Sequence, residues 1–219
     1  MDYRSVIQKI IYVGIDPVIR GMLKVGLTPN MVTALGFLGN VGAAWLFIEA
    51  ARDMASGEMA AAFTLIFWAG VVIIVAGLFD MVDGRMARVG NMASPFGALW
   101  DSTLDRYSEL VTLSGICFLL LEAGWTGMGV ATFAAMVGSV MVSYVRARAE
   151  GLGIECKVGL MQRPERVVVT AAVAIITGLT GNLWWLAGGM ALTAVLTNLT
   201  AFWRIAHCYR QINSRDGKG

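Results

Sequence analysis

Six apolar stretches, near 31–50, 60–82, 94–121, 127–147, 165–181 and 183–206, alternate with short polar segments along the chain. A helix needs about 20 residues to cross a hydrocarbon core roughly 30 Å thick, so the pattern predicts six transmembrane helices. The stretch 51–59 (Arg52, Asp53, Ser56, Gly57, Glu58) and the pair Gly181-Asn182 read as tight turns, whereas 83–95 and 148–164 are the longest polar segments and fall on the same side. Ahead of the first span, residues 3–25 interleave Val6, Ile7, Ile10, Ile11, Val13, Ile15, Val18, Ile19, Met22 and Leu23 with Arg4, Lys9, Arg20 and Lys24. That segment is too short and too charged to span, and predicts an amphipathic helix lying in the membrane interface. Thr28-Pro29-Asn30 separates it from the first span; Thr28 or Asn30 suits the N-cap, and Pro29 the first turn, of the helix that follows.

Composition sharpens this picture. With 57% hydrophobic residues, a mean hydropathy of +0.68 and only 15% charged residues, against about 25% charged in soluble domains, the chain reads as an all-α integral membrane protein. Its expected division is a juxtamembrane amphipathic helix (1–27), a six-helix transmembrane domain (28–208), which the chemistry below makes the catalytic one, and a tail (209–219). No small-residue cleavage site follows the first apolar stretch, so a removable signal peptide is not expected. Every Lys and Arg except Arg52 falls on one side of the six spans, which by the positive-inside rule places both termini and the polar segments 83–95 and 148–164 in the cytoplasm, at the cell (inner) membrane. The resulting basic belt suits anionic lipid head groups. Its dispersal around helix ends, without a recognition motif, argues against nucleic acid. Cys117, Cys156 and Cys208 lie in different segments with no metal-ligand spacing and read as reduced thiols.

Against that background four aspartates carry the chemistry. Asp80 and Asp83 close the second apolar stretch, and Asp101 and Asp105 lie inside the third. A charge near the hydrocarbon costs about 3 kcal/mol and marks a functional site by default. The pairs are spaced i,i+3 and i,i+4, which puts each on one helix face with Cβ atoms roughly 5–6 Å apart. The turn Asn91-x-x-Ser94-Pro95 folds the second helix back so that the pairs converge. Four carboxylates suit hard cations such as Mg²⁺ or Mn²⁺ and can hold two of them about 3.5–4 Å apart, the separation used for in-line displacement at phosphorus. Gly84, Ala87 and Gly97 fall on the carboxylate faces and leave room for a bulky ligand, while Arg88 supplies a forked donor for a diphosphate. Interhelical salt bridges, Asp80 or Asp83 with Arg85 or Arg88 and Asp105 with Arg106, would balance the charge but leave the small residues unexplained.

The string DMVDGRMARVGNMASPFGALWDSTLD, residues 80–105, resembles the signature of the CDP-alcohol phosphotransferase (CDP-alcohol phosphatidyltransferase) family at Asp80, Asp83, Gly84, Ala87, Arg88, Gly97, Asp101 and Asp105. The six-helix layout with an interfacial N-terminal helix is also similar to that family. The resemblance implies a membrane transferase that joins a CDP-linked lipid, usually CDP-diacylglycerol, to an alcohol and releases CMP. It implies Asp80, Asp83 and Asp101 as metal ligands, and Asp105 as general base with contact to one of two divalent ions. It also implies Gly84, Ala87, Arg88 and Gly97 around the CDP-lipid, Asn30 and Thr33 reaching the nucleotide, and a homodimer.

The second informative stretch bears on the acceptor. Ser143 and Arg146 are one helical turn apart, as are Arg163 and Arg166. Two such faces beside the metal site make a phosphate clamp, because arginine binds phosphate oxygens bidentately. Serving only the positive-inside rule is the competing account, and it suits Arg148, off that face, best. YVRARAEGLG and QRPER are similar to the phosphatidylinositol phosphate synthase branch of the family, which implies inositol phosphate as the phosphorylated polyol. Glycerol 3-phosphate is the alternative acceptor; free inositol or serine would leave the clamp unused. Arg204 reads as an interface anchor, and His207, the sole histidine, offers no catalytic mechanism of its own. A divalent-cation transporter fits poorly, since no carboxylate lies deep in the outer halves of the spans. A catalytically silent lipid-binding scaffold fits poorly because the aspartate pattern is intact through Asp105.

Overall fold

The computed structural model describes residues 16–216, and among them every regular element is a helix. They are α1 (16–24), α2 (Pro29–Ser56), α3 (Met59–Val89), α4 (Pro95–Glu122), α5 (Thr126–Gly151), α6 (Arg163–Thr180) and α7 (Trp184–Asp216). The amphipathic segment expected over 3–25 lies partly outside the described residues; its remainder is α1. Thr28 is the residue that starts α2: its carbonyl accepts from Met31 and Val32, its hydroxyl faces the Met31 N–H, and Pro29 takes the first helical position.

The first six helices all stop in the same way. A residue with positive φ follows each one (Gly26, Gly57, Asn91, Gly124, Gly153, Gly181), turning the backbone left-handed so that the last carbonyls find N–H donors. Asn91 is the one residue other than glycine among them, with φ 51°. Its amide side chain makes it one of the few residues that tolerate this region. Behind it Met92 N–H reaches back to the Ala87 carbonyl at 2.9 Å, closing α3. Ser94 then opens α4, its hydroxyl accepting from Gly97 N–H at 3.0 Å ahead of Pro95.

Among the described residues four helices, α2, α3, α5 and α7, are long and apolar enough to cross a membrane. Of the six expected spans, α4 and α6 differ for identifiable reasons. The first half of α4 carries Asp101, Asp105, Arg106 and Glu109, and α6, at 18 residues, has Arg163, Glu165 and Arg166 in its first turn. Helices also outrun the apolar stretches that announce them: α3 continues as helix through the polar residues 83–89, and α7 passes without a break beyond the expected tail boundary at 208. The outward faces carry large apolar side chains, among them Leu38, Trp45, Trp68, Phe133, Leu192 and Phe202, as an all-α membrane protein requires.

The chain divides into two units. One comprises 16–39 and 75–108, the other 40–74 and 109–216. In the first, Ile19 of α1, Val32 of α2 and Met86 of α3 form a solvent-free apolar floor, with Leu23, Leu27, Phe79, Val82 and Val89 around it. Gly36 and Gly39 let α2 run against Ala76 of α3, where a Cβ would come within 3.2–3.3 Å. In the second unit Phe47, Ile66, Ile116, Leu119, Leu120, Leu186 and Met190 interlock with many alanines. At Gly115 a Cβ would lie 2.8 Å from the Ala44 backbone. There α7 packs on α5 and α6, and Asn198 Nδ2 joins the first two by donating to the Ala134 carbonyl at 3.0 Å. The buried hydroxyls of Thr132, Thr193 and Thr197 are satisfied by carbonyls one turn earlier in their own helices.

Candidate active site

In the first unit the ends of α2, α3 and α4 enclose a cavity of about 270 Å³ lined by Pro29, Asn30, Thr33, Asp83, Gly84, Ala87, Arg88, Met92, Ala93, Ser94, Gly97, Ala98 and Asp101. The left-handed Asn91 and the Ser94-Pro95 start reverse the chain here, so the aspartates of α3 and α4 are brought face to face as their spacing predicted. One carboxylate oxygen each from Asp80, Asp101 and Asp105 lies within 4.8 Å of the other two. A cation with oxygen ligands at about 2.0–2.4 Å holds any two of them no more than roughly 4–5 Å apart, so this donor set fits a hard divalent ion.

Asp83 stands apart from that trio in its bonding. It is 4% exposed, and its Oδ2 accepts a 2.6 Å hydrogen bond from the Thr33 hydroxyl, which also lies 3.1 Å from the Pro29 carbonyl. Thr33 therefore holds Asp83 from α2. Asn30, in the first turn of α2, lines the cavity, and its backbone carbonyl accepts from Trp100 Nε1 at 3.3 Å. Trp100 stacks on Phe96, one turn earlier on α4, with ring centroids 6.1 Å apart.

The small residues divide the available space. A Cβ built on Gly84 meets nothing within 4 Å; at Gly97 it would approach Ser94 Oγ at 3.1 Å and Asn30 Oδ1 at 3.4 Å. Ala87 and the exposed Arg88 continue the wall from Gly84. Arg85 turns elsewhere: its Nε and Nη2 donate to Asp16 Oδ1 and Oδ2, both at 2.9 Å. The Arg85 guanidinium holds the Asp16 carboxyl below the usual carboxylate range. The Arg106 guanidinium donates to the Ser102 carbonyl.

The residues expected to clamp the acceptor lie in the second unit. Ser143 is half-buried on α5, and Arg146 pairs with Glu150 one turn on, Nε to Oε1 at 2.9 Å. Arg163 is half-buried at the start of α6. Arg166 is 2% exposed and uses three of its five N–H donors within the protein: Nε and Nη2 meet the two oxygens of Glu109, and Nη1 donates to the Met161 carbonyl at 3.0 Å. Arg204, expected at the interface, is instead buried, donating to the Val158 and Val142 carbonyls at 2.8 and 2.6 Å. With His207 Nε2, 3.1 Å from the Glu155 carbonyl, it holds segment 152–162 on α7. Sequence reasoning passed over Glu109, although a carboxylate recurs every fourth residue through Asp101, Asp105 and Glu109.

Residues 26–199 match the CDP-alcohol phosphatidyltransferase family, and the chain belongs to it. It is 33% identical over 192 residues to phosphatidylinositol phosphate synthase of Mycobacteroides abscessus, covering 87% of this chain and 81% of that protein. It is 31% identical to archaetidylinositol phosphate synthase of Methanothermobacter thermautotrophicus over 96% of this chain and 94% of that one. The crystal structure of Mycobacterium tuberculosis phosphatidylinositol phosphate synthase with CDP-DAG bound is similar with a TM-score of 0.77 at 32% identity, covering 88% of this chain and 92% of that one. The same enzyme in complex with manganese and citrate gives a TM-score of 0.76 at 32% identity, with 88% of each chain covered.

Proposed function

We propose that this protein transfers a phosphatidyl group from CDP-diacylglycerol to a hydroxyl of inositol phosphate, forming phosphatidylinositol phosphate and CMP. The observation that carries the reading is the convergence of Asp80, Asp101 and Asp105 beside a cavity walled by Gly84, Ala87, Arg88 and Gly97. The similar proteins support it through the substrate and metal named with them.

Asp80, Asp83, Asp101 and Asp105 are assigned to two divalent ions, Mg²⁺ or Mn²⁺, which when bound neutralise the diphosphate and polarise its phosphorus. Arg88 donates to the diphosphate, while Asn30 and Thr33 fix the nucleotide end, Thr33 also holding Asp83 in place. Asp105 takes the proton from the acceptor hydroxyl as its oxygen attacks phosphorus; the phosphorus–oxygen bond to CMP breaks on the opposite side. Ser143, Arg146, Arg163 and Arg166 are assigned to the acceptor phosphate, with Arg166 oriented from behind by Glu109. In this reading α4 and α6 complete a set of six spans, with 1–27 as an interfacial helix. Both termini and the site face the cytoplasm at the cell membrane, 209–219 is the cytoplasmic tail, and the enzyme works as a homodimer.

The test is CMP release from CDP-diacylglycerol and Mg²⁺ by the purified protein, offered inositol 1-phosphate, glycerol 3-phosphate, inositol and serine in separate reactions. Release with inositol 1-phosphate alone, abolished by a chelator and restored by Mg²⁺ or Mn²⁺, is the expected result. Release with glycerol 3-phosphate instead would keep the aspartate chemistry and overturn the acceptor, and release indifferent to chelation would overturn the metal site.

A further inference from the structure

The ion pair between α1 and α3 belongs to no step described above, and it is bidentate. Arg85 presents two donors of its fork to the two oxygens of Asp16, each at 2.9 Å, across 69 residues of sequence. Both side chains are only 26% exposed. Paired parallel bonds of this kind fix direction as well as distance, which a single ammonium contact does not.

Its position matters because of what flanks it. Arg85 follows Asp83 and Gly84 and precedes Ala87 and Arg88, the residues that wall the cavity. At about 100° per residue its side chain leaves α3 well away from Asp80, so it grips the helix from behind the site. The Ile19, Val32 and Met86 floor lies along the same α1–α3 seam, and Leu23 of α1 sits beside Gly90, the residue after α3, where a Cβ would lie 3.3 Å from its Cδ2. A helix end has no intrahelical partners for its last four carbonyls and frays unless something holds it. Here the last two turns of α3 carry the cavity wall, and beyond them only the Asn91 turn closes the helix.

We infer that Asp16 and Arg85 act as a clasp that positions the 83–88 turn of α3 for the CDP-lipid. They are positioning residues: neither is assigned a contact with the reacting atoms. The inference rests on the reading of that turn as the CDP-lipid site, and one of its readouts is independent of that reading.

The test compares the full-length enzyme with Asp16→Asn, Arg85→Lys and the reciprocal exchange Asp16→Arg with Arg85→Asp. The kinetic readouts are KM and kcat for CDP-diacylglycerol and KM for inositol 1-phosphate. Amide hydrogen exchange of residues 84–90 is followed in parallel. Asp16→Asn is expected to raise KM for CDP-diacylglycerol about tenfold, to leave kcat within about twofold, and to leave KM for the acceptor unchanged. Exchange in 84–90 should accelerate. Arg85→Lys, which keeps charge but loses the fork, should fall between, and the exchanged pair should recover most of the loss in both readouts.

Unchanged KM and exchange in Asp16→Asn would overturn the clasp, as would a defect that the exchanged pair fails to rescue. If Asp16→Asn does not fold, Arg85→Lys and the exchanged pair decide alone: wild-type exchange in Arg85→Lys overturns the clasp. Should the enzyme release no CMP with any acceptor, the proposed function fails, while accelerated exchange in Asp16→Asn, reversed in the exchanged pair, still upholds the mechanical part.

Discussion

Thr33 donates its hydroxyl to Asp83 Oδ2 across 2.6 Å, tying the start of α2 to the polar end of α3 at a point where both side chains are nearly excluded from solvent. A buried carboxylate deprived of its donor loses about 1.5–3 kcal/mol. Thr33→Val, which keeps the shape and removes the hydroxyl, should therefore weaken divalent-dependent binding of CDP-diacylglycerol by about 10–100-fold. Thr33→Ser should stay within a few-fold of wild type by the same titration. Equal affinity in all three proteins would show that Asp83 does not need this bond.

Asp105→Asn separates chemistry from binding. The amide retains the size of the carboxylate and cannot accept a proton from the acceptor hydroxyl. Turnover should fall about 10²–10⁴-fold, the usual contribution of a general base, while CDP-diacylglycerol binding in the presence of Mg²⁺ largely survives. CMP release and equilibrium binding measured on the same preparation decide the point, and full activity in the variant would remove Asp105 from the role of base.

Glu109 and Arg166 form a buried pair whose loss should be felt as instability before it is felt as catalysis. Their side chains are 9% and 2% exposed, respectively. Removing one partner strands the other and costs about 3–5 kcal/mol, enough to lower the unfolding midpoint by about 10 °C for a chain of this size. Glu109→Gln and Arg166→Met should each show such a drop in detergent, and the double variant should be less unstable than the sum of the two. Additive losses would mean that the pair is not coupled.

Segment 152–162 supplies a chemical probe of its own packing. Cys156 is solvent-free, and burial, reinforced by the adjacent Cys208, pushes its thiol up to about 11. At pH 8 only about one such thiol in a thousand is a thiolate, the reactive form. Iodoacetamide at pH 8 should modify half-exposed Cys208 first and spare Cys156 until the protein is denatured, as read by peptide mass spectrometry. The sign is fixed by the direction of the shift: the folded state keeps this proton longer than the unfolded one. Stability from this group is therefore intact below pH 9 and declines as pH rises toward 11. Equal labelling of both thiols in the folded protein would contradict the packing.

The aspartate site was legible because carboxylates are scarce in apolar stretches and helical spacing leaves few ways to arrange Asp80, Asp101 and Asp105. The turn between them was legible for the same reason: Asn91 and Ser94-Pro95 have narrow conformational preferences. What stayed hidden is every polar pairing between distant segments. Nothing in the local pattern distinguishes Arg85, which turns back to Asp16, from Arg88, which lines the cavity, or Arg166 and Arg204, which are buried, from arginines that stay exposed. Those fates depend on which helix packs behind each side chain. The largest differences in helix limits have one cause, since α2, α3 and α7 run on through polar residues that an apolar window excludes.

Gly84 and Gly115 look alike in the sequence and answer to different pressures. Gly115 is demanded by the fold, because the Ala44 backbone occupies the place of any side chain. Gly84 borders open space, so the folded chain by itself sets no limit there. Selection for folding alone would let Gly84 drift to alanine while holding Gly115 fixed. The constraint on Gly84 exists only while a ligand fills the cavity: Gly84→Ala should melt like wild type and lose affinity for CDP-diacylglycerol, making this position a recorder of what the cavity holds.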